Sequence, residues 1–265
     1  MFKKKYLTVY ITDESIVASE FHNGIFIDQP IAEAIKQINI EWDYTKNIYE
    51  QREIIIALLN HCISKLDIKF MDSLVLLTVI PLEYFGSCRD NIFDDIILKV
   101  KHLGALYAWE NIISAAACFL KKISADYKRK FMIYGENEKT YISLLWAGMV
   151  VDFICIEKEL ADITKEDLLN SINNISKKVT SEIPKEFVMH PSFDKFEYSW
   201  KEAIENNVYV TAPNQVQNIW GESLDEYKLV YIEYEKDIVL KGANDVFFAD
   251  LIKSKYKFRK LNSTY

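Results

Sequence analysis

The chain has 265 residues, half of them apolar and 27% charged, with a net charge of −7. That profile belongs to a globular chain long enough for one large domain or two small ones, and it excludes a disordered polymer. It argues against a general nucleic-acid binder, which needs a basic face, and no apolar run reaches the roughly 18 residues that span a bilayer. In chain order, Tyr6–Ile11 alternates as a strand, Thr12-Asp13-Glu14 is a turn, and Ser15–Phe21 returns as a second strand. His22-Asn23-Gly24 is a second hairpin turn leading into Ile25–Ile27, so three antiparallel strands open the protein. Residues 49–66 place Ile54, Ile55, Leu58, Leu59, Cys62, Ile63 and Leu66 at helical spacing. Ser73–Ile80 is a buried strand stopped by Pro81, 91–103 is a helix, Leu106–Trp109 is a short strand, and Asn111–Lys122 is a helix rich in small residues.

The second half repeats this opening. Phe131–Tyr134, Thr140–Trp146 and Met149–Ile156 form a second three-strand meander, and Thr164 caps a helix running to about Ser181 with acidic residues in its first turn. Val208–Thr211 is a buried strand, Val216–Leu224 begins a helix, Val230–Tyr234 is a strand and Asp245–Lys253 a final helix. Two halves built on the same order predict an internal duplication with lobes at 1–128 and 129–265. The lysine-rich start, Met1–Lys5, has the look of a signal-peptide n-region. The apolar stretch behind it is broken by Thr8, Thr12, Asp13 and Glu14, which predicts a chain that stays in the cytoplasm. Cys62, Cys88, Cys118 and Cys155 stand far apart in apolar contexts and are expected to be reduced core residues.

Glycine is scarce, seven in 265 residues, against a usual ~7 per cent. Phosphate cradles are made of backbone N–H groups that glycine lets close to the ligand, so this scarcity argues against an active nucleotidase.

The duplicated βββαβα plan resembles the actin/Hsp70-like superfamily, a ribonuclease H-like α/β fold, and several segments resemble its bacterial MreB/FtsA branch. Thr8 to Val17 lies without a gap over the family's first hairpin, I-D-L-G-T-x-N-T-x-V. Val79-Ile80-Pro81 through Gly104-Ala105 resembles V-P…A-G-A, and Leu106–Cys118 resembles the E-E-P-x-A-A-A helix. Ile133–Val151 resembles D-I-G-G-G-T-T-E…S-L-G-G-I-V-V, and Val208–Asn214 the adenosine-side V-x-L-T-G-G-G. Lys241-Gly242-Ala243 resembles the R-G-A before the last helix. The resemblance implies two lobes, ATP as ligand and a divalent metal.

The departures from the family pattern carry the functional expectation. Val9 stands at the first metal-holding aspartate and Ile133 at the second; Ile11 replaces a phosphate-loop glycine, with Thr12 after it. Of the second loop's glycines Gly135 alone survives, followed by Glu136 and Asn137. Ala212, Pro213 and Asn214 replace the adenosine-side glycines. Aliphatic side chains are not metal ligands, acidic ones repel a triphosphate, and proline lacks an N–H. The expectation is therefore a pseudo-ATPase with no catalytic residue, no bound cofactor and no metal, since phosphoryl transfer depends on such positioning groups. Only about 20 residues (29–48) follow the first meander, and about a dozen separate Val151 from the Thr164 helix. The family has sizeable insertions at both places, so its outer subdomains are expected to be reduced or absent.

Two functions are open on this reading. One is a non-catalytic scaffold or adaptor that binds protein partners in a bacterial cytoskeletal, division or secretion-type assembly. Its partner would be another actin-like protein, a second copy, or the cytoplasmic segment of a membrane assembly, with membrane association through that partner alone. The other is a nucleotide-binding regulator or chaperone-like protein that uses backbone amides near Thr12, Gly135 and Asn214. A small-molecule kinase ranks last because it needs the missing aspartates. Among single residues, Glu110 falls where actin-like ATPases place a water-orienting acid, with a surface or N-capping role as the simpler reading. His61 and His102 read as structural, His190 as a loop residue, and Asp94-Asp95 as a helix first turn. Thr12 and Ser15 hydroxyls are expected to satisfy their own turn. Phe193, Phe196, Tyr198 and Trp200 read as core or as a partner surface, and the basic tail 253–260 as a solvated end or an acidic-partner contact.

Overall fold

A computed structural model describes residues 3–70, 72–81, 83–84, 92–123, 128–136, 138–146, 149–179, 206–235 and 237–244. The first meander is β1 (Lys4–Ile11), β2 (Ser15–Glu20) and β3 (Gly24–Pro30). Then come α1 (Ile31–Ile38), a 3-10 turn at Ile48–Glu50, α2 (Arg52–Ser64), β4 (Ser73–Ile80), α3 (Phe93–Lys99), β5 (Leu103–Glu110) and α4 (Asn111–Lys122). The second meander is β6 (Lys130–Glu136), β7 (Lys139–Trp146) and β8 (Met149–Ile156). A 3-10 turn at Leu160–Asp162 follows, then α5 (Lys165–Val179), β9 (Asn207–Thr211), α6 (Asn214–Trp220), β10 (Ser223–Leu224), β11 (Tyr227–Ile232) and α7 (Ile238–Lys241).

The strands form two sheets, ordered β3-β2-β1-β4-β5 and β10-β11-β9-β6-β7-β8. In the first, β1 pairs antiparallel with β2 and parallel with β4, and β4 pairs parallel with β5. In the second, β6 pairs antiparallel with β7 and parallel with β9, and β9 pairs parallel with β11. The plan is the same in both: a meander, then two parallel strands reached through helices. β4 is buried along nearly its whole length, which explains why its sequence is a continuous apolar run and not an alternation.

The chain divides into two compact units, the described residues within Met1–Ser114 and Val239–Tyr265, and those within Ala115–Ile238. This division falls at 114/115, with the described residues 239–244 in the first unit, whereas the sequence-based expectation divides the lobes near residue 128. The first core joins Leu7, Val9 and Ile11 of β1 to Ile54, Ile55, Leu58 and Leu59 of α2 and to Leu74, Leu76 and Ile80 of β4. The second joins Phe131, Ile133, Ile142 and Leu144 to Leu168 and Ile172 of α5 and to Trp220 of α6.

Several expected boundaries move. The stretch 29–48, to which the sequence reading assigns no element, contains α1, whose Ile31, Ala34 and Ile35 are buried at helical spacing. The helix expected over 91–103 is confined to Phe93–Lys99, because Val100 is extended and His102 takes a positive φ of 59°. Residues from Leu103 therefore lengthen β5. α6 starts at Asn214, and the short β10 was not foreseen. Thr164 does cap α5: its hydroxyl accepts from the Asp167 N–H at 3.1 Å while Asp167 accepts from the Thr164 N–H at 3.3 Å. Among the described residues only α1 and a 3-10 turn stand between β3 and α2, and one 3-10 turn between β8 and α5. Cys62 and Cys118 are buried, but Cys155 is exposed on β8, an edge strand, contrary to its expected core position. Cys88, His190, the aromatic stretch 193–200, the helix expected over 245–253 and the basic tail lie outside the described residues.

Each long edge strand carries an irregularity. The ladders leave Phe26 of β3, Gly104 of β5 and Val151 of β8 without a register partner. On β8 the Asp152 carboxylate also accepts the N–H of Phe153 at 3.0 Å. Such bulges and self-capped groups interrupt the row of donors and acceptors that an edge strand would offer to another strand.

Candidate functional site

Open α/β sheets bind ligands beyond the carboxyl ends of their parallel strands. The degenerate loop positions fall there in each unit. Ile11 and Thr12 end β1, beside Ile80 and Glu110 at the ends of β4 and β5. In the second unit Gly135 lies near the end of β6 while Ile133 sits at its middle, and Ala212 and Pro213 follow β9, its parallel neighbour.

Val9 is fully buried and sits in register between Ala18 of β2 and Thr78 of β4. Ile133 is equally buried, between Ile142 and Val210. Both side chains belong to the hydrophobic cores and carry no oxygen, so neither position can ligate a divalent cation. Among the described residues no group of three or more histidine, cysteine, aspartate or glutamate side chains converges to hold a metal. The residues at these positions do not fit a magnesium–nucleotide complex of the kind the resemblance implies.

The β1–β2 turn is satisfied from within. The Thr12 hydroxyl accepts the N–H groups of Ser15 at 2.9 Å and Glu14 at 3.2 Å, and the Thr12 N–H donates to the Ser15 carbonyl at 2.9 Å. Three N–H groups that a phosphate loop would offer to a ligand are thereby engaged. Asp13 ties the turn to its surroundings: one carboxylate oxygen accepts the Ile48 N–H at 2.7 Å and the other the Tyr84 hydroxyl at 2.7 Å. Tyr49 stacks on Tyr84 with centroids 5.2 Å apart and donates its hydroxyl to the Ile11 carbonyl at 2.8 Å. Burial, then the Asp13 bond and charge, push the Tyr84 hydroxyl well above the ordinary tyrosine range. This Asp13–Tyr49–Tyr84 cluster was not visible in the sequence, because its members lie 35 to 71 positions apart in bonding pairs.

The second loop is a tight hairpin in which Glu136 pairs with Lys139. Gly135 is kept by packing: a Cβ there would meet the Leu160 Cβ at 2.7 Å. In the third, the chain passes directly from β9 into α6. Pro213 accepts the N–H groups of Val216 and Gln217, and the Gln217 side-chain amide donates to the Ala212 carbonyl at 2.9 Å.

Glu110 stands at the last position of β5, immediately before α4, and burial raises its carboxyl pKa. A raised value stabilises the folded protein fully below the ordinary glutamate value of about 4.3 and is lost as pH rises through the folded value. Glu110→Gln should therefore raise the melting temperature near neutrality and leave it unchanged in acid, as thermal melts across that range would show. Equal melts at both pH values would place Glu110 in water. His61 is part-buried in α2, and burial, with Lys65, lowers its pKa. His102 lies in the turn between α3 and β5, and Asp94 and Asp95 lie in the first turn of α3 as expected. Among the described residues no helix is long and apolar enough to cross a membrane.

No family model matches the sequence, and no curated protein does. Solved structures do match along most of the chain. MreB5 of Spiroplasma citri bound to AMPPNP aligns with a TM-score of 0.57 at 11% identity, covering 94% of this chain and 97% of that one. The ADP-bound form of the same protein aligns at 0.55 and 10% identity over 95% and 99% of the two chains. A non-polymerising MamK mutant bound to AMPPNP aligns at 0.55 and 10% identity over 92% and 99%. The chain therefore has the actin-like fold, with both α/β units built on one meander-and-parallel-strand plan.

Proposed function

We propose that this chain is a non-catalytic actin-like scaffold or adaptor that works by binding protein partners in a bacterial cytoskeletal, division or secretion-type assembly. The observation that carries the reading is the self-satisfied β1–β2 turn, whose amides are taken by Thr12 and Ser15 and whose aspartate is held by Tyr84 and Ile48. The aliphatic cores at Val9 and Ile133 support it. MamK, a protein of the same fold, has been solved as a double helical filament; a second copy of this chain is accordingly one of the partners proposed.

The test is calorimetric titration of the purified chain with ATP and ADP, with and without magnesium. The expected result is no heat of binding at millimolar nucleotide. Micromolar, magnesium-dependent binding would sink the reading in favour of a nucleotide-binding regulator.

A further inference from the structure

The first unit carries a cleft of about 420 Å³ where β1 begins, against the turn that joins β2 to β3. Its lining includes Lys3, Lys4 and Lys5 at the start of β1 and Phe21, His22 and Asn23 of the turn. Lys5 is engaged by Glu20 at 2.8 Å, and Asn23 donates to the same carboxylate. That network raises the Lys5 pKa and lowers that of Glu20. Lys3 and Lys4 are exposed and form no ion pair among the described residues. The Phe21 and His22 rings, with centroids 4.0 Å apart, form an aromatic wall of the cleft. Two exposed lysines without an ion pair among the described residues thus stand beside aromatic surface in a chain whose net charge is −7.

We propose that this cleft docks an acidic, aromatic-containing peptide segment of a protein partner. The proposal rests on the reading that the chain works by binding proteins, and it names the chemistry of one such contact. Charge complementarity selects an acidic occupant, and the aromatic wall selects one with apolar side chains beside its carboxylates. The surroundings favour a narrow ligand over a planar one. Asp67 and Asp72 lie close enough to act on Lys5, so a broad anionic surface laid over this region would also meet those carboxylates, whereas a single peptide side chain can contact Lys3 and Lys4. A free phosphate would find no buried donor there to hold it.

The experiment measures fluorescence anisotropy of a labelled peptide of glutamates around a central tryptophan, titrated with the full chain at low and at physiological salt. Binding should weaken as salt rises, because the contacts are exposed and screened over about 10 Å at 0.1 M. Lys3→Glu with Lys4→Glu should weaken it at least about tenfold, while Lys3→Arg with Lys4→Arg should keep it. Both side chains are exposed, so circular dichroism of either double variant should match the parent. No binding at low salt, or equal binding by the glutamate variant, would overturn the proposal. So would co-sedimentation with phosphatidylserine vesicles that depends on Lys3 and Lys4 when the peptide does not bind, which would assign the cleft to lipid. A blank peptide titration beside a blank nucleotide titration refutes this cleft alone; magnesium-dependent nucleotide binding refutes the reading beneath it.

Discussion

Trp220→Ala should remove about 3–5 kcal/mol of stability, the range for truncating a buried tryptophan. Trp220 has no exposed surface and closes the second core at the last position of α6. Its indole N–H donates to the Ile163 carbonyl at 3.0 Å, so truncation leaves both a cavity and a buried acceptor without its donor. Trp220→Phe keeps most of the apolar contact and loses the hydrogen bond, and should therefore lose only about 1–3 kcal/mol. Urea denaturation followed by circular dichroism gives both values, and an unchanged m-value shows that the difference belongs to the folded state. A loss below about 1 kcal/mol for the alanine variant, the size of an ordinary surface change, would contradict this packing.

Asp13→Ala should be the most damaging change in the first unit's loop, lowering stability by about 2–4 kcal/mol, since bonds to a charged acceptor contribute about 1.5–3 kcal/mol each and do not sum simply. The carboxylate is the shared acceptor for the Ile48 N–H and the Tyr84 hydroxyl. Its loss frees the β1–β2 turn from the 3-10 turn at Ile48–Glu50, and hydrogen exchange at Ile48 should rise with it. Tyr84→Phe removes one of the two bonds and should do less. Alkaline pH tests the same cluster. Tyr84 resists ionisation when folded, while in the unfolded chain a tyrosine ionises near pH 10. Its contribution to stability is whole below that value and falls as pH climbs above it towards the folded value. An Asp13→Ala variant as stable as the parent, with unchanged exchange at Ile48, would show that the turn is held by other means.

The duplicated plan was legible because its signals are local. Alternation marked the meanders, continuous apolar runs marked the parallel strands, and Thr164 with Asp167 marked a helix start. α1 was equally legible, with Ile31, Ala34 and Ile35 at helical spacing after Pro30. The shortening of the helix before β5 was not legible, since it turns on His102 adopting a left-handed conformation. Histidine is among the residues enriched in that conformation, but nothing in the local pattern marks which histidine adopts it. At the site, that Val9 and Ile133 are aliphatic and carry no oxygen could be read directly from the sequence. The bonds of Asp13 could not, because they reach residues 35 and 71 positions away. Nor could the reason for Gly135, whose missing side chain makes room for Leu160. The resemblance assigns that glycine to phosphate, and the geometry gives it a packing duty.

Among the described residues, Phe26, Gly104 and Val151 put the three long edge strands out of step with a regular partner, and the remaining edge strand has only two residues. Two molecules meeting rim to rim would find hydrogen-bond spacings that go out of phase within a few residues. Growth of a continuous β-ribbon from molecule to molecule is therefore disfavoured at every margin. Whatever assemblies this chain joins must be specified by side chains and charge, and so should remain responsive to salt and to single substitutions.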